Sequence, residues 1–238
     1  MTTPARPAYL FYRWIWSGID WLFPPYCGGC GRKGQRWCSN CQHDTHRLLP
    51  PICTICGVGI DAGNQCERCK RRTPHYTALR SWAAFDGPLR NALHRLKYQR
   101  DIALGDCLAN ELITYFVSLN WNVEMVVPVP LGVARLENRG YNQAALLARP
   151  LAVATLLHYE PNALIRSKET LSQVGLSASR RKENVSGAFE ANQRLVSGQS
   201  VLVVDDVTTS GATLEACAEA MFRSGAKSVY CLTLARTL

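Results

Sequence analysis

The chain has 238 residues and a formal charge of +9, from 27 Lys and Arg against 18 Asp and Glu. That length holds one full α/β domain and one small module, and an apolar share of 47% is ordinary for a globular protein and not for a disordered one. Eleven cysteines are the departure; with no secretory signal read in the sequence, a secreted disulfide framework is disfavoured.

In chain order, Tyr9 to Phe23 comes first, with Tyr9, Phe11, Tyr12, Trp14, Trp16, Trp21 and Phe23. With Arg13 and Asp20 inside it, the segment is too short and too charged to span a bilayer. It is read as an amphipathic helix packed on the body of the protein and stopped by Pro24-Pro25. A membrane-surface anchor is the alternative.

Eight cysteines then form four C-x-x-C pairs: Cys27/Cys30, Cys38/Cys41, Cys53/Cys56 and Cys66/Cys69. A tetrahedral zinc takes four thiolates at about 2.3 Å, so four knuckles supply two structural zincs. The simplest order is the first four cysteines, then the second four. An iron–sulfur ferredoxin is the competing reading, but the spacing matches neither ferredoxin pattern. His43 and His46 are expected to be solvated, and Cys107, Cys217 and Cys231 to be packed thiols. Residues 1–80 carry 11 Lys and Arg against 4 acids. Two thiolate-bound zincs remove about four of those positive units. A cluster remains at Arg68, Lys70, Arg71 and Arg72, either a solvated edge or a contact for nucleic-acid phosphates.

Pro50-Pro51 marks the joint between the knuckle pairs, and Pro74 a boundary. The expected division is 1–75 for the aromatic helix and zinc module, and 76–238 for the α/β domain. Thr77 to Phe85 reads as one or two strands. Leu89 to Tyr98 and Leu104 to Leu119 read as helices. Met125 to Val129 is a short buried strand closed by Pro128-Val129-Pro130. Arg135 and Arg139 follow at i, i+4, one helical face. A helix is expected at Ala144 to Leu157 and a strand at Ala163 to Arg166. Lys168 to Asn184 is polar and reads as a lid. Strand Val201–Asp205, helix Leu214–Arg223, a stop at Gly225 and strand Ser228–Leu234 complete the chain. Strand–helix alternation from Met125 onward predicts a parallel sheet.

The most telling run is Val201 to Thr213. Four apolar residues end on Asp205-Asp206, and Thr208, Thr209, Ser210, Gly211, Ala212 and Thr213 lead into a helix. Such a turn offers backbone N–H groups and a helix dipole to an anion, and the carboxylates suit sugar hydroxyls. Both parts together suit a phosphorylated sugar. The bland alternative is an Asx turn and a capped helix with nothing bound.

This run resembles the 5-phosphoribosyl-1-pyrophosphate (PRPP) motif of type I phosphoribosyltransferases. The resemblance implies that Asp205 and Asp206 hold the ribose and Thr209 to Thr213 the 5-phosphate. Purine-salvage members carry an Asp where this chain has Thr209, so purine salvage is disfavoured. The whole chain resembles the ComF family, which includes the proteins also called GntX. The resemblance rests on the Phe-Pro and Cys-x-x-Cys start, Leu96-Lys97-Tyr98, Val-Pro-Val-Pro-Leu at 127–131, and Arg139-Gly140-Tyr141-Asn142-Gln143-Ala144. It rests also on Thr170, Gln173 and Leu176 with Arg180, Asn184 and Phe189.

The family resemblance implies a double zinc ribbon joined to a type I phosphoribosyltransferase-like domain. It implies a cytoplasmic bacterial protein linked to natural competence and the handling of single-stranded DNA. Two functions follow as expectations. One is a phosphoribosyltransferase of unidentified acceptor that binds PRPP with Mg²⁺, with Arg139 at the pyrophosphate and Asp205 and Asp206 as the catalytic pair. The other is an inactive adaptor that holds single-stranded nucleic acid through Arg68, Lys70, Arg71, Arg72, Trp37 and the N-terminal aromatics.

Overall fold

The computed structural model describes residues 25–168 and 187–238. The segment Tyr9–Phe23, the body of the expected lid and the motif positions Thr170, Gln173, Leu176, Arg180 and Asn184 lie outside the described residues. Two short helices come first, α1 (Ser39–His43) and α2 (Glu67–Arg71). Each starts immediately after one cysteine of a C-x-x-C pair and buries the other, Cys41 in α1 and Cys69 in α2. The α/β part then runs β1 (Ala78–Ala84), α3 (Gly87–Tyr98), α4 (Ile102–Ser118), β2 (Met125–Pro128), α5 (Val133–Arg139) and α6 (Gln143–Thr155). It continues through β3 (His158–Tyr159), β4 (Leu164–Arg166), β5 (Phe189–Ala191), α7 (Gln193–Val196), β6 (Ser200–Thr208), α8 (Ala212–Arg223) and β7 (Ser228–Arg236).

Five strands form one parallel sheet in the order β1-β7-β6-β2-β3. β4 and β5 pair antiparallel as a separate ribbon. The central strands are apolar on both faces, as a sheet covered on both sides requires. On β6, Val201 and Val203 pack into one core with Leu214, Cys217 and Met221 of α8. Leu202 and Val204 pack into the other, with Leu93 and Leu96 of α3, Leu108 and Leu112 of α4, and Leu147 and Leu151 of α6. The connection from β2 through α6 therefore crosses one face, and the connection from β6 through α8 crosses the other. Between β2 and β6 the chain changes direction, and a crevice opens beyond their carboxyl ends.

The cysteine-rich segment is clamped to the β1 edge. Ala84 N donates to His46 O at 2.8 Å, Leu48 N to Trp82 O at 3.2 Å, and Leu79 N to Ile55 O at 2.7 Å. An otherwise open strand edge is thereby capped, which removes a pairing hazard. Gly57 makes the approach possible: its φ is +69°, and a Cβ there would lie 2.6 Å from the Leu79 carbonyl oxygen.

β6 does not stop at the carboxylates, where the apolar run ends. It continues to Thr208, and Val207 and Thr208 still pair with Ala235 and Arg236 of β7. On its other side the pairing ends at Pro128↔Val204. Pro128 and Pro130 carry no N–H, so β2 leaves the sheet there. Asp205 and Asp206 thus lie inside a strand that has lost one neighbour. Elsewhere helix and strand ends move by one or two residues, and α1, α2, the two-residue β3, β5 and the helix α7 are additions to the expected elements.

Candidate functional site

The crevice is a cavity of about 660 Å³. Its lining includes every residue of the expected sugar site: Asp205, Asp206, Thr208, Thr209, Ser210, Gly211, Ala212, Thr213 and Arg139. It also includes Lys97, Arg135, Gln143 and Arg166, which the PRPP-like motif alone does not name.

The floor is the carboxylate pair. Asp206 is buried, and its Oδ2 lies 2.8 Å from the Lys97 ammonium, with side-chain exposures of 8% and 21%. Asp206 Oδ1 accepts from Val207 N at 2.8 Å, and Asp205 Oδ1 from Asp206 N at 2.9 Å. Burial, and then the Asp206 charge, push the Asp205 carboxyl well above the usual carboxylate range. Burial alone would lower Lys97, but Asp206 and then Asp205 outweigh it and raise it. The pair is thus held near one cation.

One wall is the turn into α8. Gly211 caps the helix at φ +81°, a conformation that favours glycine. Ala212 N reaches Ser210 Oγ at 3.4 Å. The first-turn amides have no intrahelical acceptor and carry the positive end of a twelve-residue helix dipole. Thr209, exposed in this wall, leaves no carboxylate at the position where purine-salvage enzymes place one.

The opposite wall is basic. Asn142 caps α6 through Ala144 N at 3.0 Å and donates Nδ2 to Val129 O at 2.9 Å, and Tyr141 Oη donates to Leu96 O. The Gly-Tyr-Asn turn thereby braces the proline loop and the end of α3. α5 buries none of its residues and presents Arg139 at its end, with the guanidinium 5.7 Å over the Tyr98 ring. Arg139 Nη1 is buried and finds no acceptor among the described residues. A buried unpaired guanidinium donor is costly, and an anion in the cavity removes the cost. Gln143 is buried on the same wall with Oε1 similarly unpartnered.

The cysteines gather as two sets, Cys27, Cys30, Cys38 and Cys41, then Cys53, Cys56, Cys66 and Cys69, with the sulfurs of each set within 4.8 Å of one another. Bonds of about 2.3 Å to a tetrahedral ion imply S···S edges near 3.8 Å. Sulfurs lie 3.6 Å apart for Cys27–Cys38, Cys27–Cys41 and Cys56–Cys66, and 3.8 Å for Cys30–Cys38. None of the eleven cysteines is in a disulfide. Burial raises the Cys27 and Cys53 thiols, but amide donors in the knuckle turns outweigh it and bring both below the usual thiol range. Both sets fit structural zinc. His43 and His46 are exposed, outside both sets, and His46 bonds to Asp86 at 2.9 Å. Cys217 and Cys231 are fully buried, while Cys107 is half-buried.

Part of the basic cluster beside the last knuckle is turned onto the α/β part, while Lys70 and Arg71 stay exposed. Arg68 Nη1 donates to Ser210 O at 2.6 Å, Arg72 pairs with Glu215 at 3.0 Å, and Lys70 pairs with Glu67 at 2.7 Å. Trp37, named for the adaptor, packs half-buried against the core.

The sequence matches the phosphoribosyl transferase domain over residues 108–238 and the double zinc ribbon domain over residues 18–70. The class is therefore a zinc-ribbon protein with a phosphoribosyltransferase-type α/β domain. The chain is 31% identical over 207 residues to DNA utilization protein YhgH of Escherichia coli K12, covering 84% of this chain and 90% of that one. It is 30% identical over 210 residues to competence protein F of Haemophilus influenzae, with the same coverage, and 27% identical over 216 residues to competence protein ComFC of Bacillus subtilis, covering 87% and 86%. The chain belongs to the ComF family.

Proposed function

We propose that the cavity binds PRPP, or a closely related phosphorylated ribose, as its magnesium complex. The chain then acts as a phosphoribosyltransferase of unidentified acceptor in the service of DNA uptake. The observation that carries this reading is the convergence of all nine expected sugar-site residues on one cavity, with the carboxylates between an amide wall and an arginine wall. Thr209 to Thr213 take the 5-phosphate, Asp205 and Asp206 the ribose hydroxyls, and Arg139 the pyrophosphate. Mg²⁺ bound to the substrate neutralises its oxygens and needs few protein ligands. The protein's own share is positioning and electrostatic stabilisation of charge at the anomeric carbon.

The names of the relatives, DNA utilization protein and competence protein, support the link to DNA uptake. Zinc thiolates persist best in a reducing compartment, which supports a cytoplasmic site of action. Among the described residues no helix is long and apolar enough to cross a membrane. The division we adopt is 1–75 and 76–238.

Calorimetry tests the reading. Zinc-loaded protein titrated with PRPP and Mg²⁺ gives saturable heat that is lost in Asp205→Asn/Asp206→Asn with the fold retained. No heat at high ligand concentration sinks it. The adaptor built on the zinc-ribbon edge has less to stand on, because Arg68 and Arg72 are committed to α8 and its loop.

A further inference from the structure

We infer that Arg68 of the second zinc ribbon is a positioning residue for the phosphate loop, and that this ribbon is the loop's back wall. The inference rests on the reading of residues 208–213 as a phosphate site. Arg68 lies in α2 between the ligands Cys66 and Cys69, and its Nη1 donates to the Ser210 carbonyl at 2.6 Å. A peptide unit is planar and trans, so its C=O and N–H point opposite ways. Holding the Ser210 carbonyl toward Arg68 turns the Gly211 N–H away from the ribbon, toward the cavity that Gly211 lines. Without that bond, the Ser210–Gly211 peptide is the one most free to flip, because glycine accepts either sign of φ.

Three further observations place the ribbon, together with the start of the α/β domain it packs on, behind the loop. A Cβ on Gly211 would sit 3.6 Å from Tyr76 Oη, 3.6 Å from Leu79 Cδ2 and 3.9 Å from Arg68 Nη2. Arg72 pairs with Glu215 in the first turn of α8 at 3.0 Å, and His75 Nδ1 lies 3.7 Å from the same carboxylate. Cys53, Cys56 and Cys69 share one packed core with Tyr76, Leu79, Ala212 and Leu214. α2 has five residues and depends on the thiolate cluster at its start for its shape. Zinc that holds Cys66 and Cys69 therefore also aims Arg68.

The test compares wild type, Arg68→Ala and Arg68→Lys, each loaded with zinc. It measures zinc content, affinity for ribose 5-phosphate, and amide exchange of the peptide carrying residues 208–213 without ligand. With two zincs retained, Arg68→Ala exchanges faster at Ala212, whose N–H reaches Ser210 Oγ in this turn, and binds ribose 5-phosphate about tenfold more weakly, and Arg68→Lys recovers part of both through its single donor. Affinity within about threefold of wild type in Arg68→Ala overturns the inference. So does a lysine variant as impaired as the alanine one with both zincs in place. Should Arg68→Ala lose zinc, Arg68→Gln replaces it in the same comparison. A wild type that does not bind ribose 5-phosphate counts against the sugar-phosphate reading itself, and the exchange comparison alone then decides the role of Arg68.

Discussion

Lys97 extends the buried face of α3 marked by Leu89, Leu93 and Leu96, and a cation there requires a buried partner. Asp206 is that partner. Lys97→Met leaves both aspartates without their nearest cation and is expected to cost about 3 kcal/mol, a fall in melting temperature of roughly 6–12 °C. Thermal unfolding of the zinc-loaded variant checks this, and an unchanged midpoint would contradict it. Asp205 carries a pH signature. Its folded pKa is raised, so its stabilising contribution is complete below the unfolded value near 3.8 and is lost as pH rises through the folded value. Asp205→Asn should therefore melt higher than wild type at neutral and alkaline pH, and the gap should close toward pH 4. A gap that widens on acidification would reverse the assignment. The Asp-Asp-Val-Thr-Thr-Ser-Gly run is legible in the sequence because its chemistry is contiguous. Lys97 and Gln143 contribute from other elements: the family resemblance marks both stretches, Leu96-Lys97-Tyr98 and Arg139 to Ala144, but their meeting on this cavity depends on the fold.

The elements themselves are mostly readable from hydrophobic period and punctuation. What escapes is whatever depends on a neighbour. β6 passes through the carboxylates because β7 still pairs with it, while the proline strand β2 has already turned away. The fate of Arg68 and Arg72 is equally invisible in one dimension, because α8 lies some 140 residues downstream. The zinc module is a bracket on the β1 edge, so its loss should be felt across the sheet. Cys69→Ser is expected to lower zinc from two to one per chain. It should also speed amide exchange at Leu79, whose N–H bonds to Ile55 of the same ribbon. Metal analysis and exchange mass spectrometry check both, and a variant with one zinc and an unaltered β1 would show that the ribbon folds independently of the sheet. Gly211→Ala tests the turn: a left-handed φ costs a residue with Cβ about 1 kcal/mol, and the stability loss should come with weaker phosphate binding.

At the scale of the molecule, one chain joins two parts: a pair of four-cysteine clusters and a crevice lined by carboxylates and arginines at the switch point of a parallel sheet. Family membership and fold class are legible in the sequence, because the knuckle spacing and the Asp205–Thr213 run are each specific. The dependence of one half on the other is not. Salt separates the two uses of the positive charge. Binding of PRPP with Mg²⁺ in the crevice should weaken by less than about tenfold between about 50 and 200 mM salt, whereas a contact to six or more nucleic-acid phosphates loses about a thousandfold or more. The central claim is the placement of the sugar ester. A crystal of the zinc-loaded protein grown with PRPP and Mg²⁺ should show the 5-phosphate on the amides of Ser210 to Thr213, the ribose hydroxyls on Asp205 and Asp206, and the pyrophosphate beside Arg139. PRPP absent from the crevice at saturating concentration, or bound with its phosphate away from the α8 turn, would contradict the account.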